Sequence, residues 1–338
     1  MKLLVTGGAG FIGANYVLKR LELHPDDSVA VLDALTYAGN LESLASLEAD
    51  PRFSFHRADI RDADAVKAAV EAAQPEVVVH FAAESHVDRS ILGPRVFTET
   101  NVLGTQILLD AAREAKVQRF VMVSTDEVYG SLGETGKFTE TSPLQPSSPY
   151  SASKAAADLL ALAYGHTFGL DVVVTRCSNN YGPLQFPEKL IPLMIINALA
   201  DKPLPVYGDG LQVRDWIHVH DHNLAVDAVL AKGKAGEVYN IGAKNEWTNI
   251  EIVKGILRHL GKSESLIQHV KDRPGHDRRY AIDPRKIESD LGWTPKRTFK
   301  DALAETIDWY LANRTWWERV QSGAYREYFE KQYGERLG

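Results

Sequence analysis

Two adjacent carboxylates, Asp126 and Glu127, follow Thr125 in STDEVYG (124–130), and Tyr150 and Lys154 stand four residues apart in YSASK (150–154). Neighbouring carboxyl groups can divide acid and base work, because burial or the other's charge keeps one of them protonated. A phenol beside an ammonium can take a hydroxyl proton as hydride leaves the same carbon. The ammonium, together with a cationic nicotinamide, would favour the tyrosinate. An Asp-Glu pair is more often a solvated turn, and Tyr and Lys at i and i+4 on one helix face are common, so position carries the weight. FVMVS (120–124) has the apolar, β-branched pattern of a buried strand. Thr125, Asp126 and Glu127 therefore fall just past its carboxyl end, where open α/β sheets put their chemistry.

Hydride needs an acceptor, and the start of the chain predicts one. KLLVT (2–6) predicts a strand, GGAGFIG (7–13) a glycine turn and ANYVLKRLEL (14–23) an amphipathic helix. Gly8, Gly10 and Gly13 fit the G-x-G-x-x-G dinucleotide spacing, and Gly7, Gly10 and Gly13 fit G-x-x-G-x-x-G. Either frame lets the backbone approach a pyrophosphate at a helix N-terminus. SVAVLD (28–33) ends in Asp33, twenty residues past Gly13, where a carboxylate accepts hydrogen bonds from the adenosine ribose. A 2′-phosphate would meet that carboxylate, and no Arg lies in ALTYAG (34–39), so NAD is expected rather than NADP. Asp59 and Ile60 follow FSFHR and are placed to flank the adenine, while Phe81, Ala82, Ala83 and Glu84 follow VVVH along the dinucleotide's path.

Strands alternate with helices through the first half of the chain, which predicts a doubly wound, mostly parallel sheet of the Rossmann type. GSLGETGKFTETSPLQPSSP (130–149) should be a surface loop over the cleft, ending at Ser147 or Ser148 as the cap of a helix with Pro149 in its first turn. Beyond about residue 180 the alternation loosens. LPVYGDGLQVRDWIHVHD (204–221) predicts two short strands, EVYNIG (237–242) a return to the main sheet, and WTNIEIVKGILRHLG (247–261) a helix. Residues 1–180, with elements returning around 210–245, are expected to bind the dinucleotide, and 181–338 to form a second, smaller α+β domain. His218, His220 and His222 would share one face of a strand, but histidine-bound metals usually draw on well-placed acids or cysteines as well, and no metal site is expected. Trp309, Trp316 and Trp317 are expected to pack C-terminal helices.

Composition narrows the partners. The 338 residues are 44% hydrophobic and 25% charged, with a net charge of −7, which argues against nucleic acid or an anionic membrane surface. A single cysteine, Cys177, excludes an internal disulfide and predicts a cytoplasmic protein with a small buried thiol. No run approaches the roughly 20 apolar residues of a membrane span, and no signal peptide is expected.

TGGAGFIG, Asp33, STDEVYG and YSASK together resemble the extended short-chain dehydrogenase/reductase family in its nucleotide-sugar branch. AAESHVDRS (82–90), RCSNNYGP (176–183), FPEKLIP (186–192), PVYGDGLQVRDWIHV (205–219) and DRPGHDRRYAID (272–283) extend the resemblance over roughly residues 1–310. It implies that Phe11, Ile12, Ala34, Leu35, Thr36, Thr100 and Asn180 join the cofactor contacts. It also implies a nucleotide-sugar site at Ser85, Asn179, Lys189, Leu190, Pro205, Val206, Tyr207, Arg214, Asn249, Arg273 and His276. The family implies a homodimer, with 100–112 and the helix after Tyr150 as candidate interface helices. Many sugar epimerases of the family carry small residues where this chain has Asp126 and Glu127. On a nucleotide-linked glucose, with dTDP the expected nucleotide, oxidation of C4 acidifies the C5 proton and makes the C6 hydroxyl a β leaving group. Glu127 as base at C5, Asp126 as acid at the C6 oxygen and Thr125 at the C4 oxygen would then give a 4-keto-6-deoxy sugar. A 4-epimerase, or the same dehydration of another nucleotide hexose, is the alternative. A non-catalytic NAD-binding regulator would not need the Tyr150, Lys154, Asp126 and Glu127 set.

Overall fold

Short β-branched runs bounded by polar turns become strands throughout the computed structural model, which describes residues 1–272 and 276–321. In chain order they are β1 (Lys2–Thr6), β2 (Ser28–Asp33), β3 (Phe53–Arg57), β4 (Val77–His80), β5 (Arg119–Thr125), β6 (Val172–Cys177), β7 (Asn179–Tyr181), β8 (Leu204–Tyr207), β9 (Val213–His218), β10 (Val238–Ile241), β11 (Glu246–Thr248) and β12 (Ile267–Val270). Seven form one sheet in the order β10-β6-β5-β4-β1-β2-β3, with every neighbouring pair parallel. Strand order reverses between β1 and β4, so a crevice opens there at the carboxyl ends.

Both sheet faces are covered, which is why these strands read as continuous apolar runs rather than alternating ones. Val121, Val123 and Val173 belong to the core on one face, and Phe120, Met122, Val172 and Val174 to the core on the other. The helix Pro149–Phe168 lies on the second face, contributing Ala157, Ala161 and Tyr164. The return of EVYNIG to the main sheet is as expected, with β10 beside β6. The helices Val219–Lys232 and Arg285–Leu291 also pack into the first face through Val226, Val229, Ile287 and Leu291.

A separate core gathers Ile191, Trp216, Ile256, Phe299 and Tyr310 from the helices Leu190–Leu199, Asn249–Leu260 and Phe299–Ala312 and from β9. It is edged by the three-stranded sheet β11-β9-β7 and the parallel pair β12-β8. Trp309, Trp316 and Trp317 do pack here: the first two rings lie 5.2 Å apart and the Trp317 indole donates to the Tyr310 carbonyl at 2.9 Å.

Two local expectations fail. β9 stops at His218, whose ring accepts from the His220 N–H at 3.3 Å as the cap of the helix Val219–Lys232, so His220 and His222 are helical and the three do not share a strand face. Apolar residues at Ala225, Val226, Val229 and Leu230 follow helical spacing, and that burial outweighs the period-two histidines. Residues 130–148 do not line the cleft either. Phe138 and Leu144 anchor the segment beside Tyr129, and backbone bonds from Leu132 and Phe138 tie it to Arg279 and Ala281.

Candidate active site

The glycine turn is built by close approach. Gly7 has φ +69°, and a Cβ on it would stand 2.6 Å from the Ala82 nitrogen; a Cβ on Gly13 would collide with the Gly7 carbonyl. Gly8 instead packs on the Val31 methyls, 2.7 Å from a would-be Cβ, and it is Gly7, Gly10 and Gly13 that border the cleft. Gly10 caps the helix Phe11–Leu23 without a side chain in the way, leaving the first N–H groups open. Asp33 accepts from the Ala9 N–H at 3.0 Å and from the Leu35 N–H at 2.8 Å, which fixes its carboxylate at the crevice. Burial pushes its pKa up, against those two bonds. Asp59 is bonded to Arg61 at 2.6 Å, which lowers its pKa, so the expected adenine neighbour has a cation beside it.

At the end of β5, Thr125 caps a short 3-10 turn, Asp126–Tyr129, by accepting the Glu127 N–H at 3.2 Å. Asp126 is buried, with one oxygen accepting from the Thr125 hydroxyl at 3.3 Å and the other without a hydrogen-bond partner among the described residues. Burial, then the Glu127 and Asp215 charges, raise the Asp126 pKa well above the usual range, with Arg214 opposing. This is the environment of a carboxylic acid held protonated. Ser148, not Ser147, caps the helix Pro149–Phe168 in a reciprocal pair with Ser151, and Pro149 occupies the first turn. Tyr150 and Lys154 therefore leave one face of a helix start that is stiffened three ways.

The ionisation balance of the chain alone runs opposite to the expected tyrosinate. Burial and then the Glu127 charge raise the Tyr150 phenol well above its ordinary pKa, while the Thr125 hydroxyl works the other way. Lys154, lowered by burial and supported by Asp158, donates to the Val123 carbonyl at 2.9 Å.

Both halves face one cleft of ≈ 380 Å³. Its walls bring together Gly7, Gly10, Phe11, Ile12, Gly13, Asp33, Ala34, Thr36, Asp59, Ile60, Phe81, Ala82, Ala83, Glu84, Ser85, Thr100, Thr125, Asp126, Glu127, Tyr150, Lys154, Asn179, Asn180, Lys189 and Leu190. Lys189 reaches the Ser85 carbonyl at 3.1 Å. Leu35, Pro205, Val206, Tyr207, Arg214, Asn249 and His276 stand outside these walls. Arg214 lies 4.2 Å over the Tyr280 ring, donating to the Val213 and Asp277 carbonyls at 2.8 Å. Tyr207 donates to Asp88 at 3.1 Å, His276 bonds Asp272 at 2.6 Å, and Asn249 begins a helix. Arg273 lies outside the described residues.

The cleft also holds residues the sequence reading missed: Cys177, Ser178, Gln185, Glu188 and Trp216. Cys177 is the register partner of Thr125 on the neighbouring strand, so the strand-end rule that found one would have found the other. Burial pushes its thiol up to about 12, which leaves it inert. Glu188 is buried against Arg89 at 3.3 Å, a pairing between distant segments that spacing does not announce. No described helix is long and apolar enough to cross a membrane, and the described residues contain no metal-holding group of three or more His, Cys, Asp or Glu.

The family model described as GDP-mannose 4,6 dehydratase matches residues 4–306. A dTDP-glucose 4,6-dehydratase of Xanthomonas campestris pv. campestris is 56% identical over 96% of this chain and 97% of its own, and one from Escherichia coli K12 is 51% identical over 99% and 100%. Among solved structures, a Streptomyces venezuelae dTDP-glucose 4,6-dehydratase with NAD and dTDP bound superposes with a TM-score of 0.92 at 55% identity, covering 95% of this chain and all of that one. A Thermus thermophilus UDP-glucose 4-epimerase with NAD reaches 0.86 at 34% identity, covering 93% and 100%. The chain belongs to the GDP-mannose 4,6 dehydratase family, within the extended short-chain dehydrogenases/reductases.

Proposed function

We propose that the chain carries out the NAD-dependent 4,6-dehydration of dTDP-glucose, giving dTDP-4-keto-6-deoxy-glucose. The observation that carries this reading is the Asp126 and Glu127 pair, one carboxyl buried and partly unpartnered, in the same cleft as Tyr150, Lys154 and a dinucleotide cradle. The cradle suits NAD because Gly7 and Gly13 leave no room for a Cβ and Asp33 faces the crevice. NAD bound there would supply the hydride acceptor for C4 and the hydride donor for C6.

The chain's own groups move the protons. Tyr150 accepts the proton of the C4 hydroxyl, with Thr125 holding that oxygen and Lys154 supplying positive charge from beneath. Glu127 removes the C5 proton, and Asp126, kept neutral by burial, protonates the departing C6 oxygen. Asn179, Lys189 and Leu190 border the sugar diphosphate, while Tyr207, Arg214, Asn249, Arg273 and His276, with Pro205 and Val206, serve the nucleotide end. Residues 1–180 and the returning elements form the dinucleotide unit, and 181–338 mainly the sugar-nucleotide unit. A homodimer through 100–112 and Pro149–Phe168 is supported by exposed Leu103 and Leu159, and a cytoplasmic location by the lone buried cysteine.

The test incubates purified protein, without added reductant, with dTDP-, UDP- and GDP-glucose and follows product mass. Loss of one water from dTDP-glucose with no net NADH is expected. An unchanged mass with a galactose product would replace dehydration by 4-epimerisation.

A further inference from the structure

A buried polar chain runs behind the cleft; none of its members lines the cleft, and Asp158 is linked to Lys154 by charge. Arg176 donates to Asp158 at 2.9 Å and to the Tyr129 hydroxyl at 3.0 Å. Tyr129 in turn donates to the Asn240 amide oxygen at 2.8 Å. Asn240 then reaches the loop, its N–H donating to Glu140 at 2.9 Å and its amide to the Phe138 carbonyl at 3.2 Å, while the Phe138 and Tyr129 rings stack at 5.1 Å. The register explains how this forms: Ser124, Arg176 and Asn240 stand level on β5, β6 and β10, and Asp158 lies one turn beyond Lys154 on the helix covering that face. A buried guanidinium is expensive unless it is paired, and Arg176 on β6 finds its partners on two other elements, Asp158 on the helix Pro149–Phe168 and Tyr129 on the 3-10 turn.

Those elements are the ones whose separation the reaction depends on. Tyr129 closes the turn that carries Asp126 and Glu127, and Asp158 belongs to the helix that carries Tyr150 and Lys154. We propose that Asp158, Arg176, Tyr129 and Asn240 form a positioning network that locks the acid–base turn to the redox helix and backs both with the loop 130–148. This rests on the dehydration reading above. Its consequence is specific: loosening the network separates the two pairs, so elimination slows more than C4 oxidation, which needs the helix, the cofactor and Thr125 at the end of β5 but neither carboxylate.

Tyr129→Phe tests this by deleting one hydroxyl while keeping the ring stack. The turnover number should fall roughly tenfold or more with KM little changed, since small misplacement of a reacting group is costly. The absorbance of reduced nicotinamide should accumulate in the steady state where the parent shows almost none. Tyr164→Phe, on the redox helix itself, breaks a 2.9 Å bond to Asp110 of the helix Thr105–Glu114; it serves as the control and should leave both readouts at parent values. Glu140→Ala, at the loop end, should move the same signal less, and it decides the matter if Tyr129→Phe does not fold. A lower melting temperature with parent turnover and no reduced nicotinamide would overturn the network. Failure of the parent protein itself to release water from dTDP-glucose would instead fault the reaction assigned to the cleft.

Discussion

The dinucleotide cradle and the acid–base turn sit at the same end of the same sheet, yet they are built from different physics. The cradle, Gly7–Gly13 with Asp33, works through what is missing: absent Cβ atoms let backbone meet backbone, and its polar groups are main-chain N–H donors and one carboxylate pinned by two of them. The turn, Thr125–Tyr129, works through side chains whose ionisation the surroundings set, with Asp126 buried beside Glu127 and Asp215. Geometry can be written into a short stretch of chain. A pKa can be written there only in part: Glu127 is the next residue, but the largest cause, burial, and the Asp215 and Arg214 charges of β9 arrive only with folding.

The sharpest way to separate the two regions is Glu127→Gln. Removal of the base should cut water elimination by about 10²–10⁴-fold. Partial reduction of bound NAD by dTDP-glucose should persist, since the cradle and Tyr150 are intact; dehydration at the parent rate would show that the base is another group. Gly13→Ala attacks the other region. The new methyl meets the Gly7 carbonyl, and relief of that overlap should weaken NAD binding by about 1–3 kcal/mol, measured by cofactor titration, with the acid–base turn unaltered.

Asp126→Asn has a sign that separates function from stability. The folded-state pKa of Asp126 is raised, so between about 3.9, the ordinary aspartate value, and that raised pKa the folded chain binds a proton the unfolded chain has lost. This residue's contribution to stability is therefore complete at low pH and declines as pH rises through that window. The Asn variant should lose activity, lack the alkaline limb in its rate profile that Asp126 deprotonation gives the parent, and gain melting temperature relative to the parent above pH ~4 but not below it. A uniform offset at every pH would mean that Asp126 is not held neutral. The smallest effect is expected from Ser148→Ala, which removes the cap on the redox helix and should cost about 1 kcal/mol in denaturant unfolding while leaving NAD affinity alone.

Legibility in the sequence followed this same division. Strand, glycine turn, helix and a terminal acid are local patterns: β1 and β2 formed where they were expected, and the helix expected over 14–23 begins three residues earlier, at Phe11. Ser148 and Pro149 marked a helix start as clearly. What failed depended on long-range burial. The alternation of His218, His220 and His222 gave way to the apolar helix face behind it, and the polar segment 130–148 was drawn off the cleft by Phe138 and Leu144. Among the cleft's walls, Glu188 was invisible because its partner Arg89 comes from a segment about a hundred residues earlier.

The sequence by itself determined that a glycine turn, a terminal acid, a tyrosine, a lysine and two adjacent carboxylates would gather at the carboxyl ends of a parallel sheet, because periodicity, glycine spacing and helix caps are properties of neighbouring residues. It also determined which glycines were available, but not which three would be used. Only the tertiary structure decided which of them border the cleft, by turning Gly8 onto Val31 and leaving Gly7, Gly10 and Gly13 at the wall. Only the tertiary structure, too, left the chain's own Tyr150 protonated, made Asp126 an acid and tied its turn to the helix through Arg176. Desolvation and charge proximity are sums over everything packed around a group, and those neighbours are brought together only by folding.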